Sequence, residues 1–177
     1  HIRAILESGG TGLAFGPRGN GSSAEVMRID KDGAITATAQ PAFLANPSAQ
    51  QADIAASTDT TISFGTEVFD QGGDFASNTF TAPVTGKYQL SFCLHLTDAD
   101  ITATYYIIKA ATSNRNYACF QFDPRKLSGD PGNWHVSGSF LADMDASDTA
   151  LIKLYQSGGA GQVNVETGSY FSGFLAC

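Results

Sequence analysis

Charge is scarce in this sequence: Asp, Glu, Lys and Arg make up 15% of its 177 residues, against 42% hydrophobic residues. That balance disfavours a charged helical protein and favours a neutral-surfaced β protein. Basic runs are absent, and 17 acidic against 10 basic residues give a formal net charge of −7. Long-range repulsion therefore opposes nucleic acid and anionic membrane surfaces as partners. No apolar run is long enough for membrane insertion. Cysteine is limited to Cys93, Cys119 and Cys177, an odd count without Cys-x-x-Cys spacing. Neither a disulfide framework nor a zinc site follows from it. The thiols are read as free, with a Cys93–Cys119 bridge as the alternative. No Gly-x-Ser-x-Gly elbow and no His-Glu-x-x-His motif occurs, so the chain is read as a non-enzyme. The opening His-Ile-Arg has no initiator Met and no apolar leader, so the sequence is read as part of something longer.

Nineteen glycines and twelve phenylalanines, with many Thr and Ser, point to strands and turns. The stretch 62–96 organises the chain. It reads as a strand holding Phe64, Val68 and Phe69, then a break at Asp70-Gln71-Gly72-Gly73. Paired glycines supply backbone angles other residues resist. A short strand over 75–81 follows, then a corner at Pro83 and Gly86, then a long alternating strand. There Tyr88, Leu90, Phe92, Leu94 and Leu96 point one way. Lys87, Gln89, Ser91, Cys93 and His95 point the other. Further β-like runs lie at 101–110, 117–122, 134–144, 150–155 and 170–175, while 46–58 reads as loop with a short strand near Ile54. Short strands without a helical period imply a sandwich. In the last run Tyr170 and Phe174 face one way, Phe171 and Leu175 the other. A strand apolar on both faces is covered on both. A two-layer sandwich buries one face per sheet, so the second face is expected to meet another chain.

Residues 1–40 differ. Gly9-Gly10-Thr11-Gly12 and Gly16-Pro17-Arg18-Gly19-Asn20-Gly21 are turn-rich, and short apolar runs lie at 13–15, 24–29 and 34–38. Asp30-Lys31-Asp32-Gly33 between the last two is a hairpin signal; the later ligands of a calcium loop are missing. One copy of this segment has too few large apolar residues to bury a core.

Two resemblances follow. Phe69-Asp70, Gly73, Phe75 and Phe80-Thr81-Ala82-Pro83-Val84-Thr85-Gly86-Lys87-Tyr88, with Tyr170-Phe171-Ser172-Gly173-Phe174-Leu175 at the end, resemble the signature of complement C1q-like heads, a family of tumour necrosis factor-like jelly rolls. The match covers residues 41–177, poorly at 46–58 and 123–133. It implies an all-β fold, a ten-stranded jelly-roll β-sandwich that assembles as a homotrimer. The stretch 24–35 resembles a shaft-to-head segment of bacteriophage tail fibres. Together they imply a β-rich trimeric shaft at 1–40, a head at 41–177, and location on a virion tail fibre, extracellular in use and assembled in the host cytoplasm.

Strand alternation then places the loops at 97–100, 123–133 and 157–167 away from the shaft, and those at 111–116 and 145–148 toward it. The expected ligand-binding groups are Asp98, Asp100, Arg125, Lys126, Gln162 and Trp134. Trp134 either stacks on a sugar or plugs the end of the sandwich. Asp98 and Asp100 are either turn residues or a calcium pair, since some C1q-like heads bind calcium at their apex. His95 and His135 are assigned, with Phe171 and Phe174, to the trimer interface. The expected partner is a host surface glycan or envelope protein, with a structural trimerisation cap and a polysaccharide-degrading tailspike as alternatives.

Overall fold

A computed structural model describes residues 2–7, 10–16, 25–129 and 132–177. The turns expected at Gly9 and 17–21, residue Ala24, and residues 130–131 of the 123–133 loop lie outside the described residues. The chain divides into two compact units, His1–Gln40 and Pro41–Cys177.

The first unit is an antiparallel meander of β1 (Ile2–Glu7), β2 (Gly10–Phe15), β3 (Met27–Ile29) and β4 (Ile35–Thr36). The β3–β4 turn is held by Asp30, whose Oδ1 accepts from Asp32 N at 2.9 Å and Ala34 N at 2.8 Å. That carboxylate serves the turn, as the Asp-Gly signal implied. Ile2, Leu13, Val26 and Ile35 are exposed, so among the described side chains the sheet has little core.

The second unit is all-β. Its strands are β5 (Ala42–Asn46), β6 (Gln51–Ile54), β7 (Thr60–Thr61), β8 (Thr66–Gln71), β9 (Phe75–Ala76), β10 (Thr79–Thr81), β11 (Gly86–Thr97), β12 (Tyr105–Thr112), β13 (Asn116–Phe122), β14 (Trp134–Met144), β15 (Thr149–Ser157), β16 (Val163–Val165) and β17 (Tyr170–Leu175). A six-stranded sheet runs β13-β12-β15-β10-β9, with β7 also on β15. A seven-stranded sheet runs β6-β16-β11-β17-β5-β8, with β14 on the other side of β11. Every pairing is antiparallel. The inward set of β11, Tyr88 to Leu96 by twos, is buried as the alternation requires. Phe43 stacks on Phe75 at 4.9 Å and Phe80 at 4.8 Å, and meets Phe171 edge-on at 5.0 Å between centroids. Such pairs add to the burial that holds the two sheets together.

Three local expectations are corrected. The run 62–69 is not one strand: 62–65 links β7 to β8, with Phe64 buried in the link and Val68 and Phe69 exposed on β8. The stretch 75–81 is a tight hairpin, because Ser77 and Asn78 both take positive φ (50° and 68°). The 157–167 loop contains β16, whose Val163 and Val165 are buried.

Register fixes which loops share an end. Gly86 pairs with Met144, Thr112 with Ala150, and Ala42 with Phe174. Pro41, the 113–115 and 145–148 loops and the C-terminus therefore lie at one end. Leu96 pairs with Trp134 and Val165, Tyr106 with Phe122, and Tyr105 with Ser157. The loops 98–104 and 158–162, with residues 123–129 and 132–133, thus gather at the opposite end from Pro41.

Candidate functional site

The loop end is braced from beneath. Asp100 is 6% exposed. Its Oδ1 accepts from Thr102 N at 2.7 Å, and its Oδ2 from Thr102 Oγ1 at 2.8 Å, Ala160 N at 2.6 Å and Gly161 N at 2.7 Å. Burial alone would raise its pKa, but these donors outweigh burial and the net shift is downward. Gln156, also buried, donates from Nε2 to Gly158 O at 2.9 Å and Gly161 O at 2.8 Å. The 98–104 and 158–162 loops are therefore one hydrogen-bonded block. Gly159 belongs to it: at φ 96° it takes a conformation that favours glycine, and an added Cβ would meet Gln156 Nε2 at 2.9 Å. Beside this block, Glu166 accepts from Thr97 Oγ1 at 2.5 Å and Gln50 Nε2 at 2.6 Å.

The two carboxylates of the calcium reading, Asp98 and Asp100, differ in environment within the chain. The Asp100 carboxylate is turned inward onto four N–H and O–H donors, an environment that suits an anion. Asp98 turns outward, accepting from Asn164 Nδ2 at 2.8 Å. Among the described residues no group of three or more His, Cys, Asp or Glu converges on a metal position.

The remaining predicted groups are scattered. Arg125 forms a fork with Asp123, Nε to Oδ1 at 2.9 Å and Nη2 to Oδ2 at 2.8 Å, and this pairing holds Asp123 down at about 2. Its residue neighbour Lys126 is exposed on the same 3₁₀ turn, Pro124–Lys126, and Gln162 is exposed on the neighbouring loop. Trp134 packs on Phe122 with centroids 3.8 Å apart and joins the core. It lies half-buried where β13 and β14 meet.

The outer face of the seven-stranded sheet is a second candidate surface. Exposed there are Leu141 (54%), Phe69 (51%), Phe174 (50%) and Tyr170 (37%). A 310 Å³ groove among Leu44, Phe69, Gln89 and Phe174 runs across it. The face becomes polar toward the loop end through Ser91, Ser139, Cys93 and Ser137 to His95 and His135. Those two rings stack at 4.3 Å. His95 Nε2 lies 2.8 Å from Asn133 Oδ1, and His135 Nδ1 lies 3.9 Å from Cys93 Sγ. Phe171, assigned to the interface from sequence, is instead fully buried within the single chain. Parity explains it: β17 turns Tyr170, Ser172 and Phe174 outward and Phe171 and Gly173 inward. All three thiols are free, and burial raises the pKa of Cys93 and Cys119.

A model of the C1q domain matches residues 42–176. The chain belongs to the C1q domain family. Comparison with curated protein sequences gives no match. Among solved structures, the globular domain of the zebrafish complement 1qA protein is similar over 78% of this chain and 98% of its own, at 17% identity and a TM-score of 0.56. Murine APRIL is similar over 77% and 98%, at 11% identity and a TM-score of 0.54. At such identities the likeness establishes a fold, the C1q and tumour necrosis factor-like jelly roll. C1q-type domains are typically non-enzymatic, often trimeric binding modules, usually extracellular. Among the described residues no helix is long and apolar enough to cross a membrane.

Sequence reasoning missed Gln156, Glu166 and Gln50 as braces of the loop end. Gln156 did leave a signal: it is the one polar side chain in the inward series Ala150, Ile152, Leu154, Gln156 of β15.

Proposed function

We propose that this chain is the trimeric receptor-binding tip of a viral tail fibre, most simply that of a bacteriophage, recognising a host surface glycan or envelope protein. The observation that carries this reading is the division of the C1q head into two surfaces. One sheet face exposes Leu141, Phe69, Phe174 and Tyr170, an apolar patch suited to a second copy. One end carries loops that Asp100 and Gln156 brace from beneath, suited to presenting contacts without disturbing the core. The likeness of residues 24–35 to a fibre shaft segment, in a unit with little core among its described side chains, supports the fibre. Self-association would supply the missing cover for both.

Adsorption tests it. The purified trimer should bind host cells and compete with virion adsorption. Exchanging the 98–104 and 158–162 loops together should abolish binding and leave the trimer intact. Undiminished binding after the exchange would transfer recognition away from these loops. Shortened products from host polysaccharide would instead identify a tailspike enzyme.

A further inference from the structure

The outer face of the six-stranded sheet carries a feature unrelated to self-association. Where β12 begins and β13 ends, a depression of about 400 Å³ opens between Thr104, Tyr105, Gln121, Phe122, Asp123 and Arg125. That volume is within the range of small-ligand sites. We propose that this depression is a subsite for a neutral hexopyranose unit of a glycan. The inference rests on the reading of the head as a receptor-binding module and names the ligand class and the place.

Two kinds of surface meet there. On one side the half-buried rings of Tyr105 and Tyr155 lie side by side, centroids 6.1 Å apart and planes within 30°. Lys109 Nζ lies 5.1 Å from the Tyr155 centroid and pairs with Asp59 at 2.6 Å, which fixes that flank. Flat aromatic surface of this kind accepts the C–H face of a pyranose ring. On the other side stands the Asp123–Arg125 fork, tied by a third bond from Arg125 N to Asp123 Oδ1 at 3.0 Å. The fork engages Nε and Nη2 of the guanidinium. Among the described residues Nη1 remains a donor and Asp123 Oδ2 remains an acceptor. Gln121 adds an amide with both roles and Thr104 a hydroxyl. Planar groups alternating donor and acceptor suit the vicinal hydroxyls of a sugar.

Charge selects a neutral sugar over an acidic one. Among the described residues Arg125 is the cation that lines the depression, and it is already matched by the Asp123 carboxylate; the chain's net charge of −7 repels anions. The position is also set by the fold. Tyr105 and Gln121 are held by paired strands, and the fork is held by the capped 3₁₀ turn.

The test uses the intact trimer with methyl glucopyranoside, galactopyranoside and mannopyranoside, and methyl glucuronide as the acidic counterpart. Saturation-transfer NMR reads binding directly. Trp134, the single tryptophan, packs on Phe122 and gives a fluorescence signal. At least one neutral glycoside should bind, more tightly than the glucuronide. Tyr105→Ala and Gln121→Ala should each weaken it at least tenfold, with unchanged melting temperature for the exposed Gln121 variant. Unaltered glycoside binding in both variants overturns the subsite, as does preference for the glucuronide. Cell binding that persists in both variants, with no glycoside bound, overturns the subsite alone and leaves the receptor-binding reading standing. Failure to bind either cells or glycosides overturns both.

Discussion

At the scale of single residues, two positions show how little freedom the head allows. Gly173 faces inward on the closing strand, where an added Cβ would collide with a Leu90 methyl and approach Phe43 Cε1 at 2.8 Å and Gln89 O at 3.2 Å. The Ser-Gly-Phe of the closing motif thus has a packing cause: the inward slot beside Phe171 is already filled by its neighbours. Gly173→Ala should destabilise the head by about 1–3 kcal/mol through overpacking, read as a lower denaturant midpoint. Asp100 is the second. Its native pKa is depressed, so it contributes stability that is complete above its ordinary value near 4 and is lost as pH falls through its lower native value. Asp100→Asn places an amide among N–H donors and should cost about 2–3 kcal/mol near neutrality. Melting temperatures of the two proteins should converge as pH is lowered from 5 to 2. A constant difference across that range would show that the carboxylate's charge is not what holds the loops.

At the scale of elements, the closing strand β17 separates folding from assembly. Phe171 and Phe174 are three positions apart and face opposite ways. Phe171→Asp buries an unpaired charge among Phe43, Phe64 and Phe75 and should prevent folding. Phe174→Asp puts the charge on the outer sheet face and should yield folded monomers, seen as a cooperative melt with one-chain mass by light scattering. A stable trimer with Phe174→Asp would mean that this face is not the one covered. The strand's period was legible in the sequence, and so was the pairing of polar with apolar positions along β11. Which side of β17 belongs to the chain's own core was not, since apolar residues occupy both. The β9–β10 hairpin was missed because its turn uses Ser77-Asn78, weaker signals than the Gly-Gly five residues earlier. The strand β16 was missed because three residues give no measurable period.

At the scale of the whole molecule, light scattering of the native protein should report about three chains, and reductant should leave its melting temperature almost unchanged. The thiols of Cys93, Cys119 and Cys177 are all free, so no bridge constrains the unfolded chain. A large drop on reduction would reveal a disulfide formed on assembly. The all-β class and the C1q resemblance could be read from the residue order, because alternation, turn chemistry and short motifs are local patterns. Antiparallel alternation was also enough to gather the loops after β11, β13 and β15 at one end. The roles of individual groups at that end were not readable. Asp98 and Asp100 look alike in sequence, yet one faces solvent and the other accepts four hydrogen bonds, two of them from residues about sixty positions away. Trp134 could be read as a sugar-stacking ring or as a plug of the sandwich, and its packing on Phe122, twelve positions away, could not be read from either. Such roles depend on contacts between residues distant in the chain. Long-range register alone creates those contacts, and no local pattern encodes which partner a side chain will meet.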